Sequence, residues 1–289
     1  MIGGGLDGPL RDLPQEGLRG QSPRSKAVVF TRVSIVIFTL ALSLVLAGAV
    51  GAAYEEIEVK DGGVLSGVVR FAGAPPRLEP LRVNKNREVC GDSKESEALI
   101  VGAEGGVRGS VILVEGVTRG KKAEGELTLD NHRCLFVPHV SALMMGTRAR
   151  VRNSDSILHN THGFHGGSLG SAGKQTVFNL ALPTAGQVID ITRKLGKPGP
   201  IRVLCDAHPH MFAWVYIHDS PYVAVTGERG AYRIEVLPPG TYRVTMWHEG
   251  FRPKGVDKDG RPLYDEPRIV TREVTIAPKA MATVDFELR

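Results

Sequence analysis

Residues 199–219 read GPIRVLCDAHPHMFAWVYIHD. Two runs of β-branched and aromatic residues, IRVLC (201–205) and FAWVYIHD (212–219), flank a short loop that carries Cys205, His208, His210 and Met211. Such runs, bounded by turn residues, read as strands. The same texture continues outward in VLSGVVRF (64–71), GSVILVEG (109–116), TRARVRNS (147–154), VIDITRK (188–194), AYRIEVL (231–237), TYRVTMW (241–247) and ATVDFELR (282–289). Turn signals such as APP, LPPG and KPGP punctuate them. Nothing from Glu55 onward has helical periodicity. The 35 glycines and 18 prolines in 289 residues exceed ordinary usage, while 42% hydrophobic residues leave ample material for a core. An all-β chain of two sandwiches or barrels is expected. Disordered, collagen-like and polytopic membrane classes are excluded. The net charge of +5 comes without any basic block interleaved with aromatics, so nucleic acid is not an expected partner.

Residues 1–53 read as an export segment. Val33 to Ala47, VSIVIFTLALSLVLA, carries no charge; Arg24, Lys26 and Arg32 precede it and small residues follow. This is the layout of a secretory signal, with cleavage after Ala49, Ala52 or Ala53. The alternative is an uncleaved anchor, because the uncharged stretch continues to Ala53. Either way the mature part is expected outside the cytoplasm, in a periplasm or similar compartment.

Chemistry concentrates in the loop Cys205-Asp-Ala-His208-Pro-His210-Met211. A thiolate and two imidazoles in a trigonal plane, with methionine as a weak axial contact, are the donors of a blue-copper site. The second imidazole is supplied by Asn153-Ser-Asp155-Ser-Ile-Leu-His159-Asn160, at the end of another strand. VRNSD…HN followed by C-x-x-H-x-x-M resembles the cupredoxins, type 1 blue-copper proteins of the amicyanin and plastocyanin kind. The spacing is closest to the amicyanin type and covers about residues 124–219. The chain also resembles the exported cupredoxins of the "methylamine utilization protein-like" group. The resemblance implies a Greek-key β-sandwich with copper at its loop end, held by His159, Cys205, His208 and Met211. It also implies that Asn160 helps tie the two ligand loops together. His162, His165 and His210 are surplus to that pattern; they read as surface or supporting residues, with rival ligands or a second, labile metal position as the alternative.

Cys90 and Cys134 remain. An oxidising compartment favours a disulfide between them, which would leave Cys205 free, but sequence does not show that they meet. His132 and His139 flank Cys134, so a separate Cys/His metal site is the weaker reading. Gly166–Gly170 matches G-x-S-x-G without the strand and helix that motif needs. Gly173-Lys174 lacks the rest of a phosphate loop, and Asp257-Lys-Asp259-Gly260 reads as a turn rather than a calcium loop.

The C-terminal text VTGERGAYRIEVLPPGTYRVTMWHEGF resembles a carboxypeptidase regulatory-like, or transthyretin-like, β-sandwich. The expected organisation is therefore residues 57–123 as strands of a second sandwich, 124–219 as the cupredoxin domain, and 220–289 as the rest of the second sandwich. Trp247 and His248 could face the copper domain. The leading functional reading is a non-enzymatic, one-electron carrier that uses a Cu(II)/Cu(I) couple. In it His208 lies nearest the surface, and the redox partner is a protein such as a c-type cytochrome or a dehydrogenase. Copper delivery or storage is the alternative, and a carbohydrate-binding or adhesion protein with a structural cupredoxin domain is a third reading. A copper oxidase or nitrite reductase is the least favoured.

Overall fold

The computed structural model describes residues 53–166 and 175–289. The expected export segment therefore lies outside the described residues, apart from Ala53, as do Gly173-Lys174 and most of Gly166–Gly170. Among the described residues the architecture is all-β. The helical pieces are one short α-helix, Arg87–Cys90, and one 3-10 turn, Thr192–Lys194.

Two sheets form the sandwich that carries the metal-ligand candidates. The first places Val140–Met144, Phe212–His218, Gly199–Leu204, His159–His165 and Gln175–Leu182 side by side in that order. The second runs Leu135–Val137, Leu127–His132, Ala149–Asn153, Val188–Asp190. Leu129, Val151, Leu182, Ile201, Val203 and Val215 fill the space between them.

The near-continuous burial of Phe212–His218 has a simple cause. Successive side chains of a strand point to opposite faces, and here both faces are covered. Ala213, Val215 and Ile217 enter the sandwich core. Phe212 and Trp214 face the other way, into a second apolar cluster with Val111, Met246 and Trp247. Trp247 meets Trp214 edge-on at 5.2 Å between ring centroids and Tyr216 at 5.6 Å.

That second cluster belongs to another pair of sheets. Val223–Val225, Val111–Glu115, Gly240–His248 and Arg268–Ile276 form one. In the other, Ala231–Leu237 pairs with Gly63–Phe71, which also pairs in parallel with Met281–Thr283 and Phe286–Leu288. Strands from before residue 120 thus pair with strands from after residue 220, and the metal-ligand candidates lie in the chain between them.

A buried polar triad fastens the two layers. Glu249, which follows strand Gly240–His248, accepts from His139 Nε2 at 2.5 Å and from Trp214 Nε1 at 2.9 Å. The other nitrogen of His139 donates to the carbonyl of Phe212 at 3.1 Å. Burial alone would push the His139 pKa down, but Glu249, helped by Glu97 with a carboxylate oxygen 4.0 Å from Nδ1, raises it above its ordinary 6.5. The neighbouring His248 is pushed down by its own burial.

A histidine whose folded pKa is raised stabilises the fold fully below its unfolded value, and loses that contribution as pH climbs through the folded one. Glu249→Ala is expected to cost about 3–5 kcal/mol, the usual penalty for stranding one partner of a buried ion pair. Urea denaturation of both proteins across the pH range should find the full deficit below pH 6.5 and a smaller one in alkali.

Candidate metal centre

Cys205 leaves strand Gly199–Leu204, and the chain re-enters the sheet at Phe212, which pairs with Leu204. The loop between them is closed by backbone bonds from Cys205 N–H to Met211 O (3.2 Å) and from Met211 N–H to His208 O (2.9 Å). His159 opens the neighbouring strand His159–His165. The turn that delivers it is braced by Asn153, whose side-chain N–H groups donate to the carbonyls of Ile157 and Leu182 at 3.0 and 2.9 Å. Its amide oxygen accepts from Asp155 N–H at 3.0 Å.

These two loops bring three donors together. Cys205 Sγ stands 3.9 Å from His159 Nδ1 and 3.6 Å from His208 Nδ1. All three residues are buried, and their ligand atoms lie within 4.8 Å of one another. Donors sharing one ion at bond lengths of about 2.0–2.3 Å, and spread about 120° apart, stand about 3.7 Å from each other. The two sulfur–nitrogen spacings fit a trigonal metal site. Met211 is fully buried in the same apolar cluster as Cys205. Asn160 N–H points at Cys205 Sγ from 3.4 Å, so a thiolate there would accept a hydrogen bond.

The outward nitrogens of both rings are engaged. His159 Nε2 donates to Asp155 Oδ2 at 2.9 Å and His208 Nε2 donates to Asn86 Oδ1 at 3.0 Å. Each bond leaves the Nδ1 lone pair aimed at the sulfur, the arrangement by which supporting residues fix a metal-ligating imidazole. Burial pushes the His159 pKa down and takes His208 down to about 4, with His159 and Lys85 adding to the second effect. Burial also raises the Cys205 thiol, against the hydrogen bond from Asn160. The imidazoles are therefore neutral and ready to ligate, while a metal must displace the thiol proton.

Asn86 and Asp155 were not read from the sequence as supporting residues, and one cross-link ties together the helix after Asn86 and the turn that Asp155 holds. Cys90 and Cys134 form a disulfide. It joins the helix Arg87–Cys90 to the hairpin turn Arg133-Cys134, both of whose residues have positive φ (52° and 58°). A two-residue turn of this kind favours glycine or asparagine. Here the Asp155 carboxylate holds it instead, accepting from Arg133 N–H at 2.7 Å and Cys134 N–H at 2.8 Å. Asn86, itself left-handed at φ 52°, makes no side-chain cap on its helix. Its amide oxygen goes to His208. Asp155 was visible in the VRNSD motif; Asn86 lies 122 residues from His208 and no local pattern marks it.

The surplus histidines lie elsewhere. His162 bonds to Asp206 at 2.9 Å and Thr176 at 3.2 Å, and His165 to the Lys197 carbonyl at 3.2 Å. His210 is buried and donates through Nε2 to the Cys134 carbonyl at 3.2 Å, its pKa lowered to about 4 by burial and then by His208. None of the three joins the converging donors. Asp155 and Cys134 also lie within reach of His159, but the Cys134 sulfur is in the disulfide. The separate Cys/His site around Cys134 does not form, because His132 is exposed and His139 is paired with Glu249. The Asp257 turn is a turn: the Asp257 carboxylate accepts from the N–H groups of Asp259 and Arg261, both at 2.9 Å. His208 is buried, but at 1% exposed it stands nearest the surface of the four expected ligands, the other three being 0% exposed, and Asn86 closes over its outer nitrogen.

No protein-family model matches the chain, and no curated protein does. Among solved structures it is similar over about a third of its length to a copper-containing nitrite reductase from Thermus scotoductus. That similarity has 20% identity, 37% of this chain, 25% of that chain and a TM-score of 0.27, so this chain spans a quarter of the reductase. A purple cupredoxin from Nitrosopumilus maritimus shows 17% identity over 33% of this chain and 100% of that one, with a TM-score of 0.26. Amicyanin from Paracoccus versutus shows 19% identity over 37% of this chain and 97% of that one, also with a TM-score of 0.26.

Asp155→Ala should leave His159 Nε2 and the Arg133-Cys134 turn without their acceptor. Metal affinity, measured by competition with a chelator of known strength, is expected to fall about 10–100-fold, the usual cost of losing such a supporting residue.

Proposed function

We propose that this protein is an exported copper-binding electron carrier. One observation carries the reading: a buried thiol and two buried imidazoles converge with spacings of 3.6 and 3.9 Å. A thiolate with two imidazoles and a nearby thioether suits copper, for which trigonal ligation with a long axial methionine is characteristic. Copper bound there would supply a one-electron Cu(II)/Cu(I) couple. Every other contribution is the protein's own. His159, Cys205 and His208 are locked by Asp155, Asn160 and Asn86, so the donors need not rearrange between oxidation states. Their burial keeps water and exogenous ligands away, which suits electron transfer more than substrate turnover.

His208 remains the natural route outward, by way of Asn86. Asn86 is exposed and one hydrogen bond from the His208 ring. A redox partner protein, such as a c-type cytochrome or a dehydrogenase, would then dock over Asn84 to Val89. The Cys90–Cys134 disulfide supports an oxidising, extracytoplasmic compartment. Copper delivery or storage loses its main support, because His162, His165 and His210 have hydrogen-bond partners away from the donor cluster.

The test is the visible and electron paramagnetic resonance spectrum of the chain loaded with Cu(II), beside Cys205→Ala. An intense thiolate-to-copper charge-transfer band that is absent from the variant is the expected outcome. Weak copper bands that are the same in both proteins would refute the reading.

A further inference from the structure

The hairpin formed by Pro253–Val256 and Pro262–Tyr264 has no counterpart in the sandwich that carries the donors, yet it reaches their loop. Its turn is tight: Gly260 adopts φ 81°, and a Cβ there would come within 2.9 Å of Asn84 Nδ2. The tip therefore packs against the same segment that holds Asn86. The next residue, Arg261, is 8% exposed and turns its guanidinium onto the ligand loop. One terminal nitrogen donates to the Cys205 carbonyl at 3.0 Å. The other donates to the carbonyls of Pro209 and Met211 at 3.3 and 3.4 Å. Asp257, with an oxygen 3.9 Å from Nε, anchors the side chain from behind.

We propose that Arg261 is a positioning residue of the metal centre, supplied by a hairpin outside the donor sandwich: its fork pins three carbonyls of the loop Cys205–Met211, and its fixed positive charge lies against the backbone of Cys205. The inference rests on the copper reading above. Two physical effects follow, and they separate cleanly. A planar fork can hold carbonyls in a fixed relation that a flexible ammonium cannot reproduce. A buried cation next to the site disfavours the oxidised form, which carries one more positive charge than the reduced form. The fork governs how firmly the loop holds metal, and the charge governs the balance between oxidation states.

The experiment compares the full chain, loaded with Cu(II), with Arg261→Gln and Arg261→Lys. The readouts are the charge-transfer band, the rate of copper release to a chelator, and the reduction potential. Arg261→Gln is expected to release copper roughly 10–100-fold faster. Its potential should also fall, by about 59 mV for each tenfold rise in the ratio of Cu(II) to Cu(I) affinity. Arg261→Lys should keep a potential close to wild type while still releasing copper faster. A residue that merely cements the fold would not divide its effects in this way.

Wild type without a charge-transfer band would overturn the copper reading itself, and this inference with it. Wild type with the band, and variants matching it in band, potential and release, would overturn only the role of Arg261. If Arg261→Gln does not fold, as judged by circular dichroism, Arg261→Lys decides alone: release as slow as wild type would overturn the proposal.

Discussion

The Asp155 carboxylate accepts from three donors at once: the N–H groups of Arg133 and Cys134, and Nε2 of His159. Without it, a left-handed turn of two non-glycine residues would lose the bonds that hold it, and an imidazole deep in the sandwich would be free to rotate. The same turn carries one end of the disulfide, whose other end fixes the helix behind Asn86. Closing a loop of 44 residues in this way restricts the unfolded chain by roughly 4 kcal/mol in the loop-entropy picture. One carboxylate and one cross-link thus set the outer nitrogens of both histidines, although Asn86 and Asp155 come from distant parts of the chain.

The two faces of the sheet that carries the donors divide the work. One closes the core above which the thiol and imidazoles meet, through Val203, Ala213 and Val215. The other presents Phe212 and Trp214 to the second pair of sheets, where Trp247 and Glu249 receive them. Both residues that bracket the exit of the ligand loop, Met211 and Phe212, have their carbonyls engaged by side chains from outside the loop, Arg261 and His139. The loop is therefore held at its base by neighbours as well as by its own backbone bonds.

Much of this was legible because it is local. Each of the nine strand-like runs contains strand residues, and the all-β reading holds. The differences have physical causes. VIDITRK is strand only as far as Asp190, because Thr192–Lys194 tightens into a 3-10 turn, and ATVDFELR breaks into Met281–Thr283 and Phe286–Leu288. Leu127–His132 and Gln175–Leu182 were not read as strands: the first mixes Asp and Asn into its alternation, and the second is an edge strand with several exposed positions. At the centre, His159, Cys205 and His208 were named from residue type and spacing, and the structure brings them together. Asn86 and Arg261 could not be named that way. They reach the loop only through tertiary folding, and an asparagine or arginine in a polar turn looks like any other.

The pairing of early with late strands has a consequence for the order in which the molecule assembles. Val68 N–H donates to Asp285 across 217 residues, and strand Gly63–Phe71 takes Phe286–Leu288 as a neighbour. Contacts so far apart in sequence slow folding, since closing so long a loop costs entropy before its contacts can form. During synthesis Cys205 emerges well before Arg261, so the nascent ligand loop exists for a time without its clamp.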